Sequence, residues 1–182
     1  ILDDPKFLVT MPGGDRTLEF RGKKIPVEDL KLELDQFKNV DIVFISSDSS
    51  VSKDVAPIAA KVGAVVIDNT SAFRMDPMVP LVIPEINPED IKKHQGIIAN
   101  PNCSAAIMLM AIAPLHRKNR IKRVVCATYQ SASGAGSRAM KELEDQTRAY
   151  LEKKPLKIEV FPHQIAFNLF SHNSPVESNG YN

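Results

Sequence analysis

Residues 40–68 constrain this chain more than any other stretch. Residues 40–45 (Val40, Asp41, Ile42, Val43, Phe44, Ile45) form a short apolar run rich in branched and aromatic side chains. A polar group, Ser46 to Ser50, ends it, as it would end a buried strand. From Val51 the apolar positions Val55, Ile58, Ala59 and Val62 recur at helical spacing until Gly63 stops them. A second strand is expected over residues 64–67. Parallel strands need a crossover of a dozen residues or more, so strand, helix and strand within about thirty residues predict a covered parallel sheet. The reading is half of a Rossmann-like domain.

The same grammar continues. Residues 96–99 repeat the strand pattern, and the apolar run over residues 105–115 predicts a helix that Pro114 should kink or end. Residues 121–128 predict a further strand, then a Gly-containing loop at residues 131–136, then an amphipathic helix presenting Met140, Leu143, Tyr150 and Leu151. Upstream, residues 18–20 and 24–27 alternate around Arg21, Gly22 and Lys23 and predict a hairpin. The fold class expected is α/β: part of a Rossmann-like parallel-sheet domain over residues 1–101, then part of an α+β catalytic and dimerisation domain over residues 102–182. The Ile1 start and the polar turn-like end at Asn182 suggest a fragment of a longer chain.

Composition narrows the partners. With 182 residues and a formal net charge of +1, the chain has no electrostatic reason to bind nucleic acid or an acidic membrane surface. Small-molecule partners are favoured. No apolar run reaches the roughly 18 residues of a membrane span and no signal peptide opens the chain, so a soluble, intracellular protein is expected. Two cysteines at residues 103 and 126 make neither a disulfide framework nor a zinc spacing, and no metal site is expected.

Cys103 stands in Asn100-Pro101-Asn102-Cys103-Ser104, between a predicted strand and the first turn of a predicted helix. Unsatisfied amide groups and the dipole at such a helix start favour a thiolate and make a nucleophile of the side chain. The competing reading is a small buried hydrophobe. Cys126, mid-strand among apolar neighbours, reads as core filling. Gln130 follows the predicted strand 121–128 at the end where ligands of parallel sheets gather, and its amide suits a carbonyl. Gly134 and Gly136 would let backbone approach a phosphate or nicotinamide, although a plain helix-start turn explains the pattern too. Arg74 can grip a carboxylate or phosphate through its fork, or simply be a solvated surface residue. His94, His116, His163 and His172 read as surface or structural, and none pairs with Cys103 by spacing.

Four ordered motifs resemble those of the aspartate-semialdehyde dehydrogenases: residues 66–74 (Val66 to Arg74), residues 79–88 (Val79 to Pro88), residues 100–104, and Thr128-Tyr129-Gln130 with Ser133-Gly134-Ala135-Gly136. Residues 165–173 and Asn179-Gly180-Tyr181 are also similar, especially to plant and related bacterial members. The resemblance implies NADP-dependent reductive dephosphorylation of aspartyl phosphate to aspartate semialdehyde, which feeds lysine, threonine and methionine synthesis. It implies Cys103 as the attacking thiol, Gln130 orienting the acyl intermediate, and Arg74 and Asn102 holding phosphate or the reacting oxygen. Asn69, Ser133, Gly134 and Ala135 would contact the cofactor. A homodimer or homotetramer is implied, cytoplasmic, or plastid in a plant.

The resemblance also implies that the first strand, its Gly-rich loop and the catalytic histidine lie outside this stretch. Residues 8–15 stand where the family carries its segment for the adenosine 2′-phosphate, and residues 46–50 replace a small Ala-Gly turn, with Asp48 near the cofactor's phosphates. Three alternatives stay open: N-acetyl-glutamyl-phosphate reductase or glyceraldehyde-phosphate dehydrogenase chemistry, a catalytically incomplete piece that only folds or pairs, and a cysteine hydrolase using one of the four histidines.

Overall fold

The computed structural model describes residues 5–10, 16–171 and 178. Residues 11–15, His172, Asn173 and residues 179–181, to which parts of the resemblance attach, lie outside the described residues. Two compact units are present, residues 1–123 and residues 124–182. This division falls later than the 101/102 junction read from the sequence. Arg117, near the end of the helix that follows Cys103, donates to the carbonyls of Glu85 and Ile86 and keeps that helix with the first unit.

The first unit carries two small sheets. In one, β1 (Phe7–Val9) runs parallel to β3 (Lys23–Asp29), which pairs antiparallel with β2 (Thr17–Phe20). The hairpin expected around Arg21 is present. Arg21 and Gly22 adopt φ of 51° and 75°, the left-handed pair that suits the twist of a two-residue hairpin turn. The Arg21 guanidinium lies 5.3 Å from the Phe20 ring centroid.

The other sheet is the expected crossover. Strands β4 (Ile42–Ile45), β5 (Val65–Asp68) and β6 (Ile97–Ala99) lie side by side in that order, all parallel. Residues 80–82 extend it past β6: Ala99 donates to the Pro80 carbonyl and Val82 donates to the Ala99 carbonyl. Helix α1 (Ser49–Lys61) makes the first crossover and buries Ser52, Val55, Ala56 and Ala59, a stripe at helical spacing. It packs into a core with Phe37, Ile45, Ala64 and Val66. Each large side chain in such a core contributes roughly 1.5–3 kcal/mol by leaving water. Gly63, at φ 97°, turns the chain out of α1 as expected, its amide donating to the Ala60 carbonyl.

Helix α2 (Cys103–Lys118) starts at the predicted turn but does not end at Pro114. Its last turn is held from outside, by Arg117 on the Glu85 and Ile86 carbonyls and by His116 Nδ1, which accepts from the Ile121 amide. Those bonds offset what a missing proline N–H costs.

The second unit departs further from expectation. Residues 121–128 form no strand, because a ladder needs a partner and none of the described residues supplies one. Cys126 is therefore exposed rather than core filling. The loop that follows is not a strand-to-helix turn but a short 3-10 turn, Ala132–Ala135, entering helix α3 (Ser137–Leu151). That helix is amphipathic, yet the expected face is not the buried one: Met140, Tyr150 and Leu151 are exposed, while Ala139, Glu142 and Gln146 are buried.

Glu142 and Gln146 replace apolar packing with hydrogen bonds. Glu142 accepts from the amides of Glu159 and Val160. Gln146 accepts from the amides of Ile165 and Ala166 through Oε1, at 2.9 and 3.2 Å. Its Nε2 donates to the Lys157 carbonyl at 2.7 Å and to Glu142 Oε1 at 2.9 Å. Two side chains on one helix face thus pair the backbone of an irregular segment that has no strand or helix to do it.

Candidate active site

The carboxyl ends of β4, β5 and β6 carry the first group of candidates. Ligands of open parallel sheets gather at this edge. Asp68 ends β5 fully buried. Its Oδ1 accepts from the Thr70 amide and its Oδ2 from the Thr70 hydroxyl, both at 3.0 Å, while Thr70 Oγ1 accepts from the Ala72 amide. This chain of side-chain-to-backbone bonds folds the chain back after the strand and brings Arg74 over the sheet edge.

Arg74 is half-buried and partly committed. Its Nε donates to the Asn100 carbonyl at 2.8 Å and its Nη2 to the Asn69 carbonyl at 3.1 Å. The guanidinium therefore braces the ends of two adjacent strands. Burial lowers its pKa from the ordinary arginine value, and the negative charges of Asp68 and the Cys103 sulfur oppose that shift. An arginine remains cationic even so. Arg74 is thus no solvated surface residue: it is a fixed positive charge within electrostatic reach of Cys103.

Cys103 opens α2 and is exposed, so the buried-hydrophobe reading fails. Asn102 is the N-cap, its Oδ1 accepting from the Ser104 amide at 2.9 Å. That single bond fixes the first turn and with it the direction in which Cys103 leaves the helix. Sulfur, helix start and guanidinium come together here as the sequence predicted. Asn69, also exposed, stands at the same edge, its amide donating to the Ile45 carbonyl at 2.9 Å.

The second unit carries Gln130, Ser133, Gly134 and Ala135 as a separate group. Gln130 is exposed just before the 3-10 turn. Within the turn Ser131 and Ser133 hydroxyls meet at 2.6 Å. An open depression between this turn and α3 is lined by Ser131, Ser133, Ser137, Met140 and Leu143. Gly136, at φ 90°, is the glycine the backbone requires. Gly134 has no such requirement, and a Cβ there would meet nothing within 4 Å.

Sequence reading missed Asp68, Thr70 and Asn100. The first two had a signal, an Asp two residues before Thr at a strand end, where carboxylates commonly bond their own backbone. Two histidines are committed to backbone. His94 Nδ1 accepts from the Gly96 amide at 3.0 Å and His116 Nδ1 from the Ile121 amide at 3.2 Å, while the His163 ring packs on Phe170. Among the described residues there is no group of three or more metal-ligating side chains, and no helix is long and apolar enough to cross a membrane.

Comparison with known proteins agrees with this geometry. Residues 8–94 match the semialdehyde dehydrogenase NAD binding domain and residues 112–182 the semialdehyde dehydrogenase dimerisation domain. An aspartate-semialdehyde dehydrogenase of Synechocystis is 51% identical over 180 residues, 99% of this chain and 53% of the relative. That of Aquifex aeolicus is 52% identical over 169 residues, 91% of this chain and 49% of the relative. The chain thus spans about half the length of the curated relatives it matches. A crystal structure of aspartate semialdehyde dehydrogenase II from Vibrio cholerae, complexed with ASA, superposes with a TM-score of 0.87 at 40% identity, covering 98% of this chain and 53% of that one. An α/β Rossmann-like NAD-binding domain followed by a dimerisation domain, with Cys103 at the helix start beyond the sheet edge, puts this chain in the aspartate-semialdehyde dehydrogenase family.

Proposed function

We propose that the protein of which this chain forms a part reduces L-aspartyl 4-phosphate to L-aspartate 4-semialdehyde through a thioester on Cys103. The observation that carries the proposal is the exposed Cys103 at the start of α2, capped by Asn102 and within reach of the Arg74 charge. The Cys103 thiolate attacks the acyl carbon, the carbon–oxygen bond to phosphate breaks, and inorganic phosphate leaves. Arg74 and Asn102 offset the charge that develops on the phosphate and the acyl oxygen. Gln130 orients the acyl group. Dividing the exchange into acyl transfer and reduction lowers each barrier.

The residues present fit a nicotinamide dinucleotide. The sheet edge presents the exposed Asn69, and the first turn of α1 receives no side-chain hydrogen bond from its N-cap Asp48. Bound NADPH supplies the hydride that reduces the thioester and frees the thiol. Asn69 holds the cofactor on one side, and Ser133, Gly134 and Ala135 on the other. Functionally, residues 1–101 form the nucleotide-binding part and residues 102–182 the catalytic and pairing part. The dimerisation-domain match supports a homodimer, and we place the protein in the cytoplasm.

The test is turnover in the reverse direction by the full-length protein. Aspartate semialdehyde, inorganic phosphate and NADP should yield NADPH, and Cys103→Ser should lower kcat by on the order of 10³ or more. Turnover that does not require phosphate, or that survives Cys103→Ser, contradicts the proposal.

A further inference from the structure

Asn100 belongs to none of the roles above, yet it has more links at the sheet edge than any residue assigned there. It follows β6 directly and precedes Cys103 by one proline and one cap. Its amide donates to the Asp68 carbonyl at 2.8 Å and its carbonyl accepts from Arg74 Nε at 2.8 Å. Its side chain reaches sideways: Nδ2 donates to Asn69 Oδ1 at 2.7 Å. Asn69 is otherwise tied only through its backbone, to Ile45 and Arg74. An exposed asparagine side chain held by one good hydrogen bond loses its rotational freedom before any ligand arrives, and that lowers what a ligand must overcome on binding.

We propose that Asn100 is a positioning residue for the nicotinamide cofactor, its side-chain amide holding Asn69 in the orientation that meets the cofactor. This rests on the functional reading above. The division of labour within Asn100 makes it separable. The backbone carbonyl serves Arg74 and so the Cys103 turn, while the side chain serves Asn69 alone. Removing the side chain therefore loosens the cofactor contact and leaves the nucleophile in place.

The experiment is a double-mutant cycle in the full-length protein with Asn100→Ala, Asn69→Ala and the pair. NADPH affinity is read from its fluorescence, alongside KM, kcat and the alkylation rate of Cys103. Asn100→Ala should raise the NADPH Kd and KM roughly 5–10-fold, the loss of one hydrogen-bonded contact. It should leave kcat and Cys103 alkylation within about twofold, and add nothing to Asn69→Ala. Asn100→Leu, with similar bulk and no amide, carries the same expectations if the alanine variant does not fold. An unchanged Kd, additive effects in the cycle, or an equal fall in kcat and Cys103 alkylation overturns the inference. A wild type that turns over no substrate overturns the functional reading itself, a result distinct from any of these.

Discussion

The two units bury different chemistry. In the first, the interior is Phe37, Ile45, Val55, Val66 and small alanines, packed between a parallel sheet and α1. In the second, the buried apolar side chains among the described residues are Ala132, Ala139 and Ala166, and the largest buried groups are Glu142 and Gln146. One unit is held by apolar area, which is nondirectional and tolerant. The other relies on hydrogen bonds from two side chains to backbone amides and a carbonyl, which are directional and fail together. The nucleophile and its arginine stand on the first kind of support, and the Gln130 loop precedes the second.

That contrast is sharpest at Gln146. Gln146→Leu keeps the volume and adds apolar surface, so a hydrophobic account predicts stabilisation. The structure predicts the reverse: the amides of Ile165 and Ala166 and the carbonyl of Lys157 lose their partner, costing roughly 2–4 kcal/mol. Chemical denaturation measures it, and an unchanged midpoint breaks the comparison. In the first unit the corresponding vulnerability is steric. Gly96 sits at φ 99°, and a Cβ there would lie 2.8 Å from Ala60 Cβ. Gly96→Ala should cost about 2 kcal/mol, and Ala60→Gly in the same protein should recover part of it by relieving the clash. No recovery would show that backbone conformation alone sets the cost. The smallest effect belongs to the cap. Asn102→Ala should lower stability by about 1 kcal/mol, read as a small fall in Tm, while its effect on turnover is larger. Loss of stability with turnover intact would make Asn102 a cap and nothing more.

The same contrast explains what could be read in advance. The crossover over residues 42–68 was legible because apolar periodicity reports apolar burial, and that is how this part is held. The turn at Cys103 was legible for a related reason, since a capping asparagine before an apolar run marks a helix start. Residues 121–128 misled because an apolar, branched run states only that a strand would be favourable. Val125 is 82% exposed where a paired strand was expected. In α3, Met140, Tyr150 and Leu151 have the right spacing, but the helix turns Glu142 and Gln146 inward to meet backbone groups more than ten residues further along. No periodicity encodes a bond of that kind. Arg74 was found as a charge and not as a brace, because its acceptors, the carbonyls of Asn69 and Asn100, are backbone atoms common to every residue.

Site-resolved alkylation tests the central claim most directly, because both cysteines are exposed and access does not separate them. Cys103 stands at a helix start beside Arg74, whereas Cys126 lies in an unpaired extended stretch. Treated with iodoacetamide below pH 8 and followed by mass spectrometry, the full-length protein should label at Cys103 at least about tenfold faster than at Cys126. Equal rates at the two thiols would contradict the account.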